Sequence, residues 1–143
     1  LYTCLPPWRI AMVMIPDKFQ YLLARGTKAF AALALTRADG SPHVSPVWFD
    51  WDGTRLIINT ARGRVKDRIL QKKPKVALSI VDPADPYRYV LIRGQVDGET
   101  EEGGYEMICS LNEKYKGKYE YPRIPGQVRV TYTILPEYVF TSK

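Results

Sequence analysis

A chain of 143 residues, 45% of them apolar, is long enough to bury one sizeable core and too short for two ordinary domains, so a single domain is expected. Two cysteines, Cys4 and Cys109, and a lone His43 share no metal-ligand spacing, which argues against a zinc site or a disulfide framework and for a reducing, cytoplasmic setting. The net charge is local rather than general: Arg55 to Lys75 holds eight bases against Asp67, a net of +7, and the chain's +6 less this +7 leaves about −1 for everything else.

Residues 1–15 read as an N-terminal arm, either foreign to the domain or an irregular extension of it, with Met12 and Met14 as alternative natural starts; the domain proper is expected over 16–143. The apolar segment Ile10 to Ile15 is far too short to span a bilayer and ends at Pro16, so no membrane partner is expected. Pro16 and Asp17 suit a first helical turn, Phe19, Leu22 and Leu23 fall at i, i+3, i+4, and Gly26 is placed to end a short amphipathic helix. Lys28 to Thr36 reads as a buried strand and Arg37-Ala38-Asp39-Gly40 as a hairpin turn. Ser41 to Asp50 continues as a strand whose two prolines restrict it to an edge or to a place where something other than a strand lies alongside. Asp52-Gly53 turns the chain into a third strand, Arg55 to Thr60.

From Asn59 to Pro74 a strand gives way to a loop and then to a helix with an apolar stripe of Val65, Ile69 and Leu70, stopped at Pro74. A turn of this kind suits an anion: it offers free backbone N–H groups and the positive end of a helix, and Thr60, Arg62, Arg64 and Lys66 can add donors. A solvated helix with a Lys-rich face is the plainer account of the same residues. Val76 to Val81 reads as a buried strand, Asp82-Pro83-Ala84-Asp85-Pro86 as a loop, and Tyr87 to Glu99 as a long strand. Thr100 with Glu101 and Glu102 is placed to open a helix running through Tyr115, in which Cys109 is a small buried apolar residue. Lys116 to Pro125 is expected as a loop whose tyrosines cover the barrel end or a neighbouring subunit, with stacking on nucleic-acid bases as the lesser reading. Gln127 to Tyr138 alternates as a half-buried strand broken at Pro136, with Val139-Phe140 as a restart. About six strands with three short helices describe a mainly β, α+β fold: a six-stranded antiparallel split barrel with short flanking helices. Dinucleotide, P-loop and nucleophile-elbow motifs are absent.

The run Arg37 to Phe49, with its Asp-Gly-x-Pro-His-x-x-Pro-Val block, resembles the pyridoxamine 5'-phosphate oxidase-like split β-barrel superfamily, and within it the small deazaflavin (coenzyme F-420)-dependent reductases. The likeness extends from about Pro16 to Phe140 through Asn59-Thr60 with Arg64 and Lys66, Asp82-Pro83, and Arg93-Gly94-Gln95-Val96. It implies a homodimer with two cofactor clefts between the subunits. Carried over, Val44, Ser45, Pro46, Val47 and Trp48 would line the ring; Thr60 and Lys66 would hold phosphate, with Asn59 beside them at the strand end as a further cofactor-site residue; Arg62 and Arg64 would assist; Arg88 or Tyr89 would approach the cofactor near the interface. The oxidase's C-terminal Trp-x-x-x-Arg-Leu-x-Pro segment has no counterpart in Arg129 to Pro136, which lacks the Trp, so vitamin B6 oxidation is not expected.

The activity implied is hydride transfer between a deazaflavin and an unsaturated small-molecule acceptor, with FMN as the alternative cofactor on the same phosphate site. No protein acid or base is required, because the cofactor carries the chemistry, and His43 reads as a positional residue. A second class is a non-enzymatic binder, of a flavin or of nucleic acid through the Arg55 to Lys75 deposit. Nucleic acid is the lesser expectation of the two, and its binding would fall steeply with salt.

Overall fold

The computed structural model describes residues 13–143. The expected arm therefore falls largely outside the described residues, although Ile15 packs into the core. Seven strands and two α-helices follow one another: β1 (Ala31–Thr36), β2 (Pro42–Val47), β3 (Asp50–Trp51), β4 (Leu56–Ala61), α1 (Val65–Lys72), β5 (Lys75–Asp82), β6 (Asp85–Thr100), α2 (Gly104–Lys116) and β7 (Arg129–Thr141). All strand pairings are antiparallel, in the order β2-β1-β5-β6-β7-β4-β3. The two outermost strands, β2 and β3, are consecutive in the chain and joined only by Trp48 and Phe49. So short a link cannot cross a flat sheet, so the sheet curls until its edges adjoin. A split barrel results.

The inward faces of the strands build the core: Ala31, Leu33 and Leu35, Leu56 and Ile58, Val76, Leu78 and Ile80, Val90 and Ile92, and Val130, Tyr132 and Ile134 are buried. Phe19, Leu22 and Leu23 plug one end. Ile108, Leu111 and Tyr115 of α2 form a second, smaller cluster with Trp48, Tyr105 and Tyr121.

Several expectations are corrected. The first helix is a six-residue 3-10 helix, Asp17–Leu22. The strand expected over Ser41 to Asp50 divides at Trp48 and Phe49, because Phe49 turns fully into the core, so the count is seven rather than six. The expected Asp82 to Pro86 loop is a tight turn at Pro83 and Ala84, with Asp82 and Asp85 paired across it and Asp82 Oδ1 accepting from the Ala84 N–H at 2.8 Å. Thr100 ends β6 instead of opening a helix; α2 begins only after Gly103, at a φ of 71°. Pro136 does not break β7. Opposite it, the register slips between Arg93 and Gly94, and Gly94 lies so close to the Leu135 carbonyl that a Cβ would collide with it. The bulge and the missing side chain together absorb the proline.

Candidate functional site

The basic turn is built by its local chemistry. Ala61 ends β4, Gly63 takes a φ of 87° that favours glycine, and the Arg62 N–H reaches back to the Val128 carbonyl at 2.8 Å. Asp67 secures the turn from within the first turn of α1. It accepts from the Gly63 N–H at 2.9 Å, from Arg62 Nη1 at 3.0 Å and from the Tyr132 hydroxyl. Burial alone would raise the Asp67 carboxyl, but these donors outweigh it and hold the group below the usual carboxylate range. Burial, with the carboxylate beside it, in turn pushes the Tyr132 phenol up.

Arg62 was expected to assist with phosphate. Its guanidinium instead joins Asp67 to Glu99 at 2.8 Å and Glu101 at 3.0 Å, and these bonds raise its pKa further. A group so engaged is a structural clamp between β4, α1 and β6. Arg55 is likewise paired, with Asp97 at 2.6 Å. The other six bases of the deposit, Arg64, Lys66, Arg68, Lys72, Lys73 and Lys75, form no ion pair among the described residues.

Strand alternation separates the remaining candidates. Thr60 shares the inward face with Leu56 and Ile58; it is buried, and its hydroxyl has no partner. Asn59 lies on the opposite face, where its amide nitrogen donates to the Gly104 carbonyl at 2.9 Å and to Thr131 Oγ1 at 3.1 Å. Its oxygen receives Arg129 Nε at 2.8 Å. Arg129, which shares its alternation with the polar Gln127 and Thr131, is buried because α2 begins with Gly104, whose lack of a Cβ allows contact with the Arg129 carbonyl. Burial, then Arg64, then Arg129 lower the Lys66 ammonium. Arg64, Lys66 and Arg129 are thus three cations close enough to repel one another. Arg64 at the head of α1 supplies no side-chain cap, so the first N–H groups of that helix keep no such partner.

β2 is an edge strand, as its prolines require. Pro42, Val44 and Pro46 point outward and are exposed, while His43, Ser45 and Val47 share the inward side half-buried. His43 Nδ1 and Ser45 Oγ are buried without partners. Trp48 is half-buried, with one ring face stacked on Tyr115 at 5.2 Å and 8°, and Lys116 Nζ lies 5.6 Å from its centroid.

Arg88 and Tyr89 do not join this group within one chain. Arg88 donates to the Tyr21 hydroxyl and the Lys18 carbonyl, both at 2.9 Å, and so ties β6 to the 3-10 helix. Tyr89 pairs with Val81 near one end of β6, whereas Thr100, at the other end, pairs with Thr131 beside the basic turn. Eleven strand residues at about 3.3 Å each put these ends on the order of 30 Å apart. No group of three or more His, Cys, Asp or Glu that could hold a metal occurs among the described residues, and no helix there is long and apolar enough to cross a membrane.

The family described as pyridoxamine 5'-phosphate oxidase matches residues 15–141. Among solved structures, one named as an F-420 reductase is 32% identical, covers 88% of this chain and 98% of its own, and superposes with a TM-score of 0.80. A putative pyridoxamine 5'-phosphate oxidase from Listeria innocua is 20% identical over 87% of this chain and 95% of its own, with a TM-score of 0.67. A conserved hypothetical protein from Mycobacterium tuberculosis is 20% identical over 92% and 86%, with a TM-score of 0.71. These last two speak to the fold alone. No curated protein matches the chain.

Proposed function

Because the chain belongs to the pyridoxamine 5'-phosphate oxidase family, we propose that it is an oxidoreductase working as a homodimer, which transfers a hydride between coenzyme F-420 and an unsaturated small-molecule acceptor. The observation that carries the choice of coenzyme is the 32% identity, over nearly the whole of both chains, to a structure named as an F-420 reductase. The basic turn fits such a group. Arg64 and Lys66 have no anionic partner among the described residues, and the uncapped start of α1 lies beside them. Among the described residues, negative charges answer only Arg55 and Arg62 within this deposit.

In this reading Arg64 and Lys66 anchor the phosphate, and the exposed row of β2, Val44 and Pro46 beside Trp48, offers an apolar wall to the ring. When bound, the reduced deazaflavin supplies the hydride. The protein orients it and excludes water; no side chain is assigned as acid or base. Thr60 takes no part, since its hydroxyl faces the barrel interior.

The dimer is supported by the outer sheet face. Register places Pro46, Ala32, Ser79, Leu91 and Phe140 in one row and Val44, Ala34, Ala77, Arg93 and Tyr138 in the next. This surface is small and apolar in the middle, with Val44 67%, Phe140 48% and Leu91 38% exposed. A second copy would cover it and would bring another chain's Arg88 and Tyr89 towards a site that a single chain leaves without them.

The test is turnover. Under anaerobic conditions, purified protein with reduced F-420 and an activated enone or quinone should restore the absorbance of the oxidised coenzyme, and should do so in proportion to protein. If only FMN-loaded protein turns over, the hydride donor is a flavin and the deazaflavin reading fails.

A further inference from the structure

A cation with nine-tenths of its surface removed from water normally has an acid beside it, since an unpaired buried charge costs several kcal/mol. Arg129 departs from this rule. It is 7% exposed, its one hydrogen bond among the described residues runs from Nε to Asn59 Oδ1, and Nη1 is buried with no partner at all. None of the five ion pairs among the described residues includes it. The Tyr121 ring, 5.6 Å from its guanidinium, is a favourable but uncharged neighbour, while Arg64 and Lys66 carry its own sign. Asn59 is neutral, so it orients the guanidinium without neutralising it.

Arg129 also lines a cavity of about 440 Å³, completed by Tyr105 and the loop from Pro122 to Gln127. The wall is held in shape from both sides. Tyr105 donates its hydroxyl to the Tyr121 carbonyl at 2.7 Å, and the Arg123 guanidinium lies 3.6 Å over the Tyr105 ring. Asn112 fastens the preceding loop through the Lys118 and Glu120 carbonyls, at 2.7 and 3.1 Å. No carboxylate lines this cavity. Its volume lies within the range of small-molecule pockets.

We propose that this cavity is an oxyanion site in which Arg129, braced by Asn59, recognises a phosphate or carboxylate of a small molecule. A guanidinium suits that task because its planar fork can meet two oxygens at once. The occupant has two sources with this chemistry, the phosphate end of the coenzyme or an acidic group on the acceptor. The inference does not rest on the deazaflavin reading, since a flavin or any acidic ligand would serve.

The probe is inorganic phosphate, titrated calorimetrically into the purified full chain at low ionic strength, with thermal midpoints recorded in phosphate-free buffer. Arg129→Gln should weaken phosphate binding by about tenfold or more, as loss of a charged hydrogen-bond donor implies, and Arg129→Lys by less. Lys18→Ala, an exposed base on the 3-10 helix outside the basic turn, should leave it within about threefold, because removal of a remote surface charge has a small effect. Without phosphate, Arg129→Gln should melt no lower than wild type, because it removes an uncompensated charge; a structural Arg would show the reverse. Wild-type protein that binds no phosphate, or Arg129→Gln and Arg129→Lys that both bind it as wild type does, overturns the proposal. Repeating the titration on protein saturated with F-420 separates the sources: lost binding identifies the coenzyme's phosphate, retained binding a separate acid. Should F-420 fail to bind while phosphate binding still depends on Arg129, the deazaflavin reading falls and this one stands.

Discussion

Lys66, in the first turn of α1, and Thr60, on the inward face of β4, sit six residues apart in different surroundings, so their substitutions should differ. Lys66→Ala is expected to weaken coenzyme binding by about 10- to 150-fold, the equivalent of roughly 1.5–3 kcal/mol for a hydrogen bond to a charged group. Thr60→Val, which removes a buried hydroxyl without a partner, should change affinity by less than about threefold, since no bond to the coenzyme is lost. Fluorescence titration of each variant decides both. Lys114 makes a separate prediction. It is buried, donates to the Phe49 carbonyl at 2.8 Å, and lies over the Phe49 and Tyr115 rings. Burial depresses its ammonium from 10.5 to about 8, so between these values the unfolded chain binds more protons than the folded one and stability rises with pH. Lys66 is displaced in the same direction. Above pH 10 the trend reverses, because burial raises the Tyr115 phenol from 10.0 to about 12 and Tyr132 is raised as well. Urea unfolding should therefore show stability increasing from about pH 8 to about pH 10, with a smaller increase in Lys114→Met. A wild type that loses stability across that window would contradict the assignment.

At the scale of elements, two contacts made by backbone rather than by side chains govern where the site sits. Gly94 permits the bulge that carries β7 past Pro136, and Gly104 permits α2 to close over Arg129. Gly94→Ala forces a Cβ into the Leu135 carbonyl and should destabilise the chain by about 1–3 kcal/mol, as overpacking does. Asp67→Ala should also destabilise, by about 1–3 kcal/mol, because it takes the carboxylate from the Gly63 N–H and the buried Tyr132 hydroxyl, although Arg62 keeps Glu99 and Glu101. A chemical denaturation midpoint unmoved by either would show that the turn is not held as described. The same contacts explain what could be read without coordinates. Periodicity located every strand from β1 to β7 within a few residues except the two-residue β3, and the two prolines of β2 correctly implied an edge. Pro136 misled because its tolerance depends on Gly94, some forty residues away in sequence. Arg129 was missed for a similar reason: its alternation with Gln127 and Thr131 is that of a solvent face, and only α2 makes it a buried one. Arg62 looked like a free donor because the acids that claim it, Glu99 and Glu101, arrive from the end of β6 and the residue just after it.

For the whole molecule, the uncovered sheet face and the separation of Arg88 and Tyr89 from the basic turn point to function as a pair. Ala34→Glu, in the centre of the outer face, should convert a dimer to a monomer in sedimentation velocity and should lose coenzyme binding with it; a monomeric wild type of 16.4 kDa would remove the shared cleft. The proposed preference for F-420 has its own physical basis. One phosphate needs two or three cations, whereas six bases between Arg64 and Lys75 form no ion pair among the described residues, and this surplus suits a longer polyanionic tail whose attraction is screened by salt. The most direct measurement is an equilibrium titration of the purified protein with F-420 and with FMN, followed by the visible spectrum at low and high salt. The account predicts tighter binding of F-420, with an advantage that grows with the number of glutamates in its tail and shrinks as salt is added. Protein that holds FMN tightly and gives no spectral response to F-420 would contradict it.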